Sequence, residues 1–161
     1  MRPRSHVLVE RLESMTDLSW GGKLLDAGCG NGETLKRFAK MPHWELHGLD
    51  INDRNLPRLA AIPGFSRLHT CPPAEVSETF DLITLIHTLE HIPAPSDFLR
   101  DLRGKLRDGG QLFIQVPDAS ANAFDYVVAD HLLHFSPEAL SVLLRRTGFG
   151  NITVFTDWVA K

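Results

Sequence analysis

Asp26, Gly28, Gly30 and Gly32 stand at two-residue spacing behind a short apolar run, Leu24-Leu25. Glycines at such a turn let the backbone approach a ligand and adopt positive φ. A helical pattern opens at Glu33, so free N–H groups and a partial positive charge face the turn. The stretch reads as strand, tight turn and helix start around a nucleotide-like ligand. A dinucleotide site needs G-x-G-x-x-G, and the third glycine position is taken by Glu33. No Gly-Lys-Ser/Thr follows, which excludes a phosphate loop. A pyrophosphate gains nothing from the Asp26 carboxylate, whereas a ligand carrying an ammonium or sulfonium does. Asp50 lies about twenty residues past the turn, where a βαβ unit presents a carboxylate to a ribose diol. The alternative is an Asp that caps the next helix, with Asn52 and Asp53 as competitors.

D-x-G-x-G-x-G after a strand resembles the first motif of the Rossmann-like S-adenosylmethionine-dependent methyltransferases. F-D-L-I-x-L-x-H-x-L-E-H-I-P over residues 80–93 and L-R-D-G-G-Q-L-F-I-Q-V-P over 106–117 resemble the fourth- and fifth-strand segments of the small-molecule members. D-H-L-L-H-F-S-P-E-A-L-x-x-L-L-x-x-x-G-F, starting at Asp130, resembles a subgroup that includes C-methylating enzymes. The resemblance implies an α/β fold with a doubly wound, mostly parallel sheet. It implies S-adenosylmethionine held by Asp26, Gly28, Cys29, Gly30, Gly32, Asp50, Ile51, Cys71 and His87. The activity implied is methyl transfer from the sulfonium to an O, N or C nucleophile of a small molecule. Alignment is then the protein's main task, because the methyl is already activated. Proton removal from the acceptor is the second task, and histidine is the natural base near neutral pH. His131 and His134 are the first candidates, with His91 behind them. The family often places an Asp after the third strand for the adenine amino group, where this chain offers Thr70 and Cys71. Backbone groups or Glu75 would then read adenine.

The elements that must carry these residues follow from patterning. The chain has 161 residues, enough for one domain, 1–161, with 43% hydrophobic and 23% charged content. A net charge of −3 provides no electrostatic footprint for nucleic acid or an anionic membrane. No apolar run approaches the ~18 residues of a span, and no signal core follows the basic start. Cys29 and Cys71 do not make a disulfide framework. These features predict a cytoplasmic protein with a small-molecule partner and no nucleic acid or membrane partner.

Over residues 5–18, Val7, Leu8, Leu12, Met15 and Leu18 lie close to one helical face before Asp17 and Ser19–Gly22 break the pattern, so the N-terminal segment 1–22 carries a helix that either covers the sheet or forms a lid. Strands are expected over 23–27, 44–50, 66–70, 79–86, 111–116 and 151–156. Helices are expected over 33–40, 55–61, from a Ser96 cap to residue 107, and from 136 to 147. The near-continuous apolar fourth strand suits a central parallel position. Residues 118–135 form a long connection on the substrate side, carrying Tyr126, His131, His134 and two aspartates. The family sheet has seven strands in the order 3-2-1-4-5-7-6, and residues for a seventh are lacking. The final strand is therefore expected beside the fifth, or a partner chain there, as in a homodimer through the exposed edge. Two rivals stand beside catalysis. One is a cofactor-binding domain with weak or no turnover. The other is a metal protein using His87, His91, His131 and His134 with Glu90, although the methyltransferase reading calls for no metal.

Overall fold

The computed structural model describes residues 11–14, 16–41 and 43–156. Five parallel strands form one sheet in the order β3-β2-β1-β4-β5. They are β1 Gly22–Ala27, β2 Trp44–Leu49, β3 Phe65–His69, β4 Phe80–Ile86 and β5 Leu106–Gln115. The helices are α1 Glu33–Phe38, α2 Leu56–Leu59, α3 Pro95–Arg103 and α4 Pro137–Arg146. Apolar side chains leave β1 and β4 on both faces, as a sheet buried on two sides requires. On one face Leu24, Leu46 and Leu82 pack with Leu35 and Phe38 of α1. On the other, Leu25, Ile83 and Leu85 pack with Leu99 and Leu102 of α3 and Leu140 and Leu144 of α4. The doubly wound reading therefore holds, with a sheet that is wholly parallel. The strand order reverses between β1 and β4, and ligands of open α/β sheets bind at such a switch point.

Leu12 and Leu18 are both in the core on the α1 face. The described part of the N-terminal segment thus covers the sheet. Val7, Leu8 and Met15 lie outside the described residues.

Three expected elements differ. Ser96 does not cap α3: Ala94 occupies the cap position and Pro95 begins the helix. Proline's fixed φ suits the first helical turn, so the start moves ahead of the serine. The helix also stops at Arg103, because Phe80 N–H already donates to Lys105 O and starts the β4–β5 ladder. β5 therefore begins at Leu106, and the register jumps from Phe80–Leu106 to Leu82–Gln111. The intervening Arg107–Gly110 stretch bulges, with Gly109 at φ 78° and Arg107 Nη1 donating to both Asp81 oxygens.

The sixth strand is not formed. Residues 152–156 join no ladder. An alternating pattern becomes a strand only where a neighbour takes its N–H and C=O groups. Here Ile152 packs into the core and Thr156 Oγ1 donates to Asp118 Oδ2 at 2.9 Å. Among the described residues, β5 is an edge strand.

Candidate active site

The chain leaves β1 at Ala27 and turns at once. Gly28 and Cys29 N–H groups both donate to Leu49 O, at 2.7 and 3.2 Å, which ties the turn to the end of β2. Gly28, Gly30 and Gly32 have φ of 80°, 49° and 79°, all in the left-handed region. At Gly28 the need is double, because a Cβ would collide with the Thr88 side chain beyond β4. Left-handed φ alone costs a non-glycine residue roughly 1–2 kcal/mol. Gly28→Ala is therefore expected to lower the thermal unfolding midpoint by several degrees. An unchanged midpoint would show that the two loops do not meet this closely.

Asp26 is 3% exposed and accepts from Thr84 Oγ1 at 2.7 Å. Burial pushes its carboxyl up to about 7, against the hydrogen bonds from Thr84 and Thr34, and nearby Asp50 adds to the rise. A carboxylate held this way gains much from a cation beside it. Asp50 follows β2 and reaches back to the turn. Its Oδ2 accepts from Gly30 N–H and its Oδ1 from Ile51 N–H, both at 2.8 Å. It does not cap α2, whose cap position is Asn55. Gly30 has no atom within 4 Å of an added Cβ, so the turn is open on that side.

His87 ends β4 with φ 50°, an uncommon conformation for a residue with a Cβ. Its N–H donates to Gln115 O at 2.9 Å, and its Nδ1 lies 3.3 Å from Glu90 Oε1. Glu90 is fully buried, and its Oε2 has no hydrogen-bond partner among the described residues. The Glu90 carbonyl accepts from the N–H groups of Leu132 and Leu133. That contact folds the 118–135 connection over the end of the sheet.

The connection brings the histidines together. Asp125 is 3% exposed. Its Oδ1 lies 2.6 Å from His131 Nδ1 and its Oδ2 lies 2.9 Å from His134 Nδ1. A carboxylate only accepts, so both imidazoles donate through Nδ1 and present Nε2 as a lone pair. His91 Nδ1 lies 2.7 Å from the Asp130 carbonyl and therefore donates as well. The His91 ring stands edge-on to His131, with centroids 5.0 Å apart. A cavity of about 1470 Å³ has His87, Glu90, His91, Asp125 and His131 among its lining and extends along β5.

A family model described as "Methyltransferase domain" matches residues 4–154. The chain belongs to that methyltransferase-domain family. Curated relatives include two proteins named "Ubiquinone biosynthesis O-methyltransferase". The one from Idiomarina loihiensis is 27% identical over 137 residues, covering 79% of this chain and 56% of the relative. The one from Parvibaculum lavamentivorans is 32% identical over 124 residues, covering 71% and 49%. The chain spans about half the length of these relatives. Among solved structures, the Burkholderia thailandensis 1,6-didemethyltoxoflavin-N1-methyltransferase, bound to 1,6-didemethyltoxoflavin and S-adenosylhomocysteine, superposes with a TM-score of 0.70. That pair is 24% identical, covers 94% of this chain and 68% of the other, and establishes the fold.

Within this methyltransferase domain the expected residues divide by what their side chains do. Gly28, Gly30, Gly32, Asp26, Asp50 and His87 sit at the carboxyl ends of β1, β2 and β4. Ile51 is 91% exposed beside Asp50, an apolar side chain left facing solvent next to the turn. Cys29 points inward: a Cβ on Gly48 would lie 2.7 Å from its Sγ. Burial pushes its thiol up to about 12, so its backbone shapes the turn while its sulfur packs. Cys71 is partly buried against the core on the α3 face. Sequence reading did not single out Asp125. Two histidines three residues apart could have prompted a search for a carboxylate between them, but nothing local selects Asp125 over Asp130. Among the described residues no helix is long and apolar enough to cross a membrane.

Proposed function

We propose that this domain binds S-adenosylmethionine at the glycine turn and transfers its methyl group to a small apolar acceptor, with His131 or His134 removing the acceptor's proton. The observation that supports it most is the Asp125 bridge, which leaves Nε2 of His131 and of His134 as the proton-accepting nitrogens, with His131 lining the cavity. The cofactor fits the residues present. Asp26 offers a buried carboxylate for an ammonium, Asp50 has acceptor capacity left for a ribose diol, and Ile51 offers an apolar cover. When bound, the cofactor supplies an activated methyl on a sulfonium. Asp26 would hold the ammonium and Asp50 the ribose, and the Gly28–Thr88 contact fixes the turn against the loop after β4. His131 or His134 accepts the acceptor's proton at Nε2, and Asp125 stabilises the resulting imidazolium through Nδ1. His91 lies next in line. Phe124, Tyr126, Val127 and Leu132 are exposed on the same connection, with the Tyr126 ring 4.6 Å from His134. Such a patch suits an aromatic or otherwise apolar acceptor. The small-molecule methyltransferases among the relatives agree with that class.

Asp50→Ala is expected to abolish detectable S-adenosylhomocysteine binding in calorimetry, since it removes the ribose acceptor and loosens Gly30. Turnover is read as S-adenosylhomocysteine release over a panel of phenols and heterocyclic amines. Cofactor binding with no release across that panel would favour the binding-only domain. A metal-assisted variant has one observation behind it: donor atoms of Glu90, His91 and His131 lie within 4.8 Å of one another. Loss of turnover on chelation, restored by a divalent cation, would select it over the plain base.

The edge of β5 that is unpaired among the described residues supports self-association, with a second copy adding its own edge. Sedimentation analysis is expected to return a dimer mass, and a monomer at all concentrations would remove this reading. The free Cys29 and Cys71 favour a reducing, cytoplasmic setting.

A further inference from the structure

His47 lies in the middle of β2 and His69 at the end of β3, and both are nearly inaccessible, at 2% and 6% exposed. An imidazole buried inside a parallel sheet must find partners for its nitrogens or destabilise the fold. His47 Nε2 lies 2.9 Å from Glu45 Oε1. A carboxylate accepts, so Nε2 carries the proton and Nδ1 is left as a lone pair. That lone pair faces His69 Nε2 at 3.3 Å, with the two rings nearly parallel at 12°. Phe80 stands edge-on to both rings and walls the site from the core. Glu78, in the loop before β4, completes the group. One ligand atom from each of His47, His69 and Glu78 lies within 4.8 Å of the others.

This geometry matches a coordination sphere. Two nitrogens bound to one tetrahedral zinc at ~2.0–2.1 Å are separated by about 3.3 Å. Metal-binding histidines commonly donate their second ring N–H to a carboxylate, as His47 does to Glu45. We propose that His47, His69 and Glu78 form a site for a divalent transition ion of the zinc type, with Glu45 orienting His47 and a fourth position open to water. Two imidazoles and one carboxylate suit zinc better than magnesium or calcium. Arg67 Nη1 holds Glu78 Oε1 at 3.0 Å, and Ser77 Oγ donates to Oε2 at 2.8 Å. The Arg67 side chain is 61% exposed and can swing into solvent when an ion takes its place. The ion would clamp β2 to β3. The His69 carbonyl accepts from Asp50 N–H at 3.0 Å, so the clamp sits directly behind the residue assigned to the ribose. The site stands independently of the methyl-transfer reading.

The test uses the full chain, stripped with chelator and desalted, and titrated with Co²⁺ alone while visible absorption is read. One equivalent with tetrahedral d–d bands is expected, displaced by Zn²⁺, and Zn²⁺ should raise the unfolding midpoint. His69→Gln should lose the bands, whereas His131→Gln, at the separate histidine cluster, should keep them. Glu45→Gln should weaken the affinity tenfold to a hundredfold, the usual cost of losing such a carboxylate. His69→Cys should restore binding and add a thiolate charge-transfer band. If His69→Gln fails to fold by circular dichroism, Glu78→Gln decides, since that side chain is partly exposed: weakened Co²⁺ binding supports the site and unchanged binding overturns it. No tetrahedral Co²⁺ spectrum, bands that survive in folded His69→Gln, or bands lost in His131→Gln would overturn the site.

Discussion

Asp26→Asn is expected to weaken S-adenosylhomocysteine binding tenfold to a hundredfold and, at the same time, to stabilise the unliganded protein above pH 7. The two effects have one cause. Folding buries a carboxyl whose ordinary value is 3.8 and raises it to about 7, chiefly by desolvation. A group whose pKa rises on folding takes up a proton as the chain folds. Its favourable contribution is complete below about pH 4 and is lost as pH climbs through 7. Above that, the folded domain carries a buried anion at a cost on the order of 4 kcal/mol. Asn removes the anion and leaves an oxygen for the Thr84 hydroxyl, so the fall in stability between pH 4 and 7 should flatten. The penalty is what a cationic ligand relieves. A hydrogen bond to a charged group is worth roughly 1.5–3 kcal/mol, which converts to the stated loss of affinity. In the parent chain, affinity should drop as pH falls below about 7, because only the carboxylate attracts the ammonium. In Asp26→Asn that dependence should vanish. Calorimetry and urea unfolding at pH 6 and 8 check both effects. Equal affinities for the two proteins at pH 8 would detach Asp26 from the cofactor.

How much of this was legible in the sequence follows from the range of each interaction. The glycine turn is local: positive φ at three glycines and an acid two residues ahead are encoded within seven positions. Asp50 was legible because a βαβ unit fixes where a residue about twenty positions on must emerge. The structure adds that it bonds Gly30 and does not cap α2. Residues 152–156 misled because their alternation is a local signal and a ladder is not. The glycine pair at 109–110 misled in the same way, since pairing of Leu106 with Phe80 decides where β5 starts. His47 and His69 lie 22 residues apart, and only the β2–β3 register shows that they share a face. Asp125 was hidden for a related reason. Its neighbours suggest an exposed loop, yet it is nearly inaccessible because Glu90 pins Leu132 and Leu133 over the sheet.

Asp125→Asn should lower the rate of methyl transfer by about 10²- to 10⁴-fold, the range associated with a positioned base. Cofactor affinity should be unchanged, because the Asp125 carboxylate bonds His131 and His134 and no residue of the glycine turn among the described residues. The side chain accepts from His131 through Oδ1 and from His134 through Oδ2. An amide offers one acceptor and one donor. One histidine keeps its Nδ1–H bond. The other must accept the amide N–H at an unprotonated Nδ1 and carry its single proton on Nε2, where it can no longer act as a base. The split between kcat and KM distinguishes this from simple disruption. Loss of the base alone lowers kcat with the acceptor KM unchanged, whereas disruption of the 118–135 connection raises the acceptor KM as well. His131→Gln and His134→Gln then identify which imidazole works. The variant that matches Asp125→Asn carries the base, and the one that leaves kcat near the parent value only packs against Asp125. A parent-like rate in Asp125→Asn, measured with a phenolic acceptor, would mean that the proton leaves without help from either histidine. The domain would then act through alignment of the sulfonium and acceptor alone.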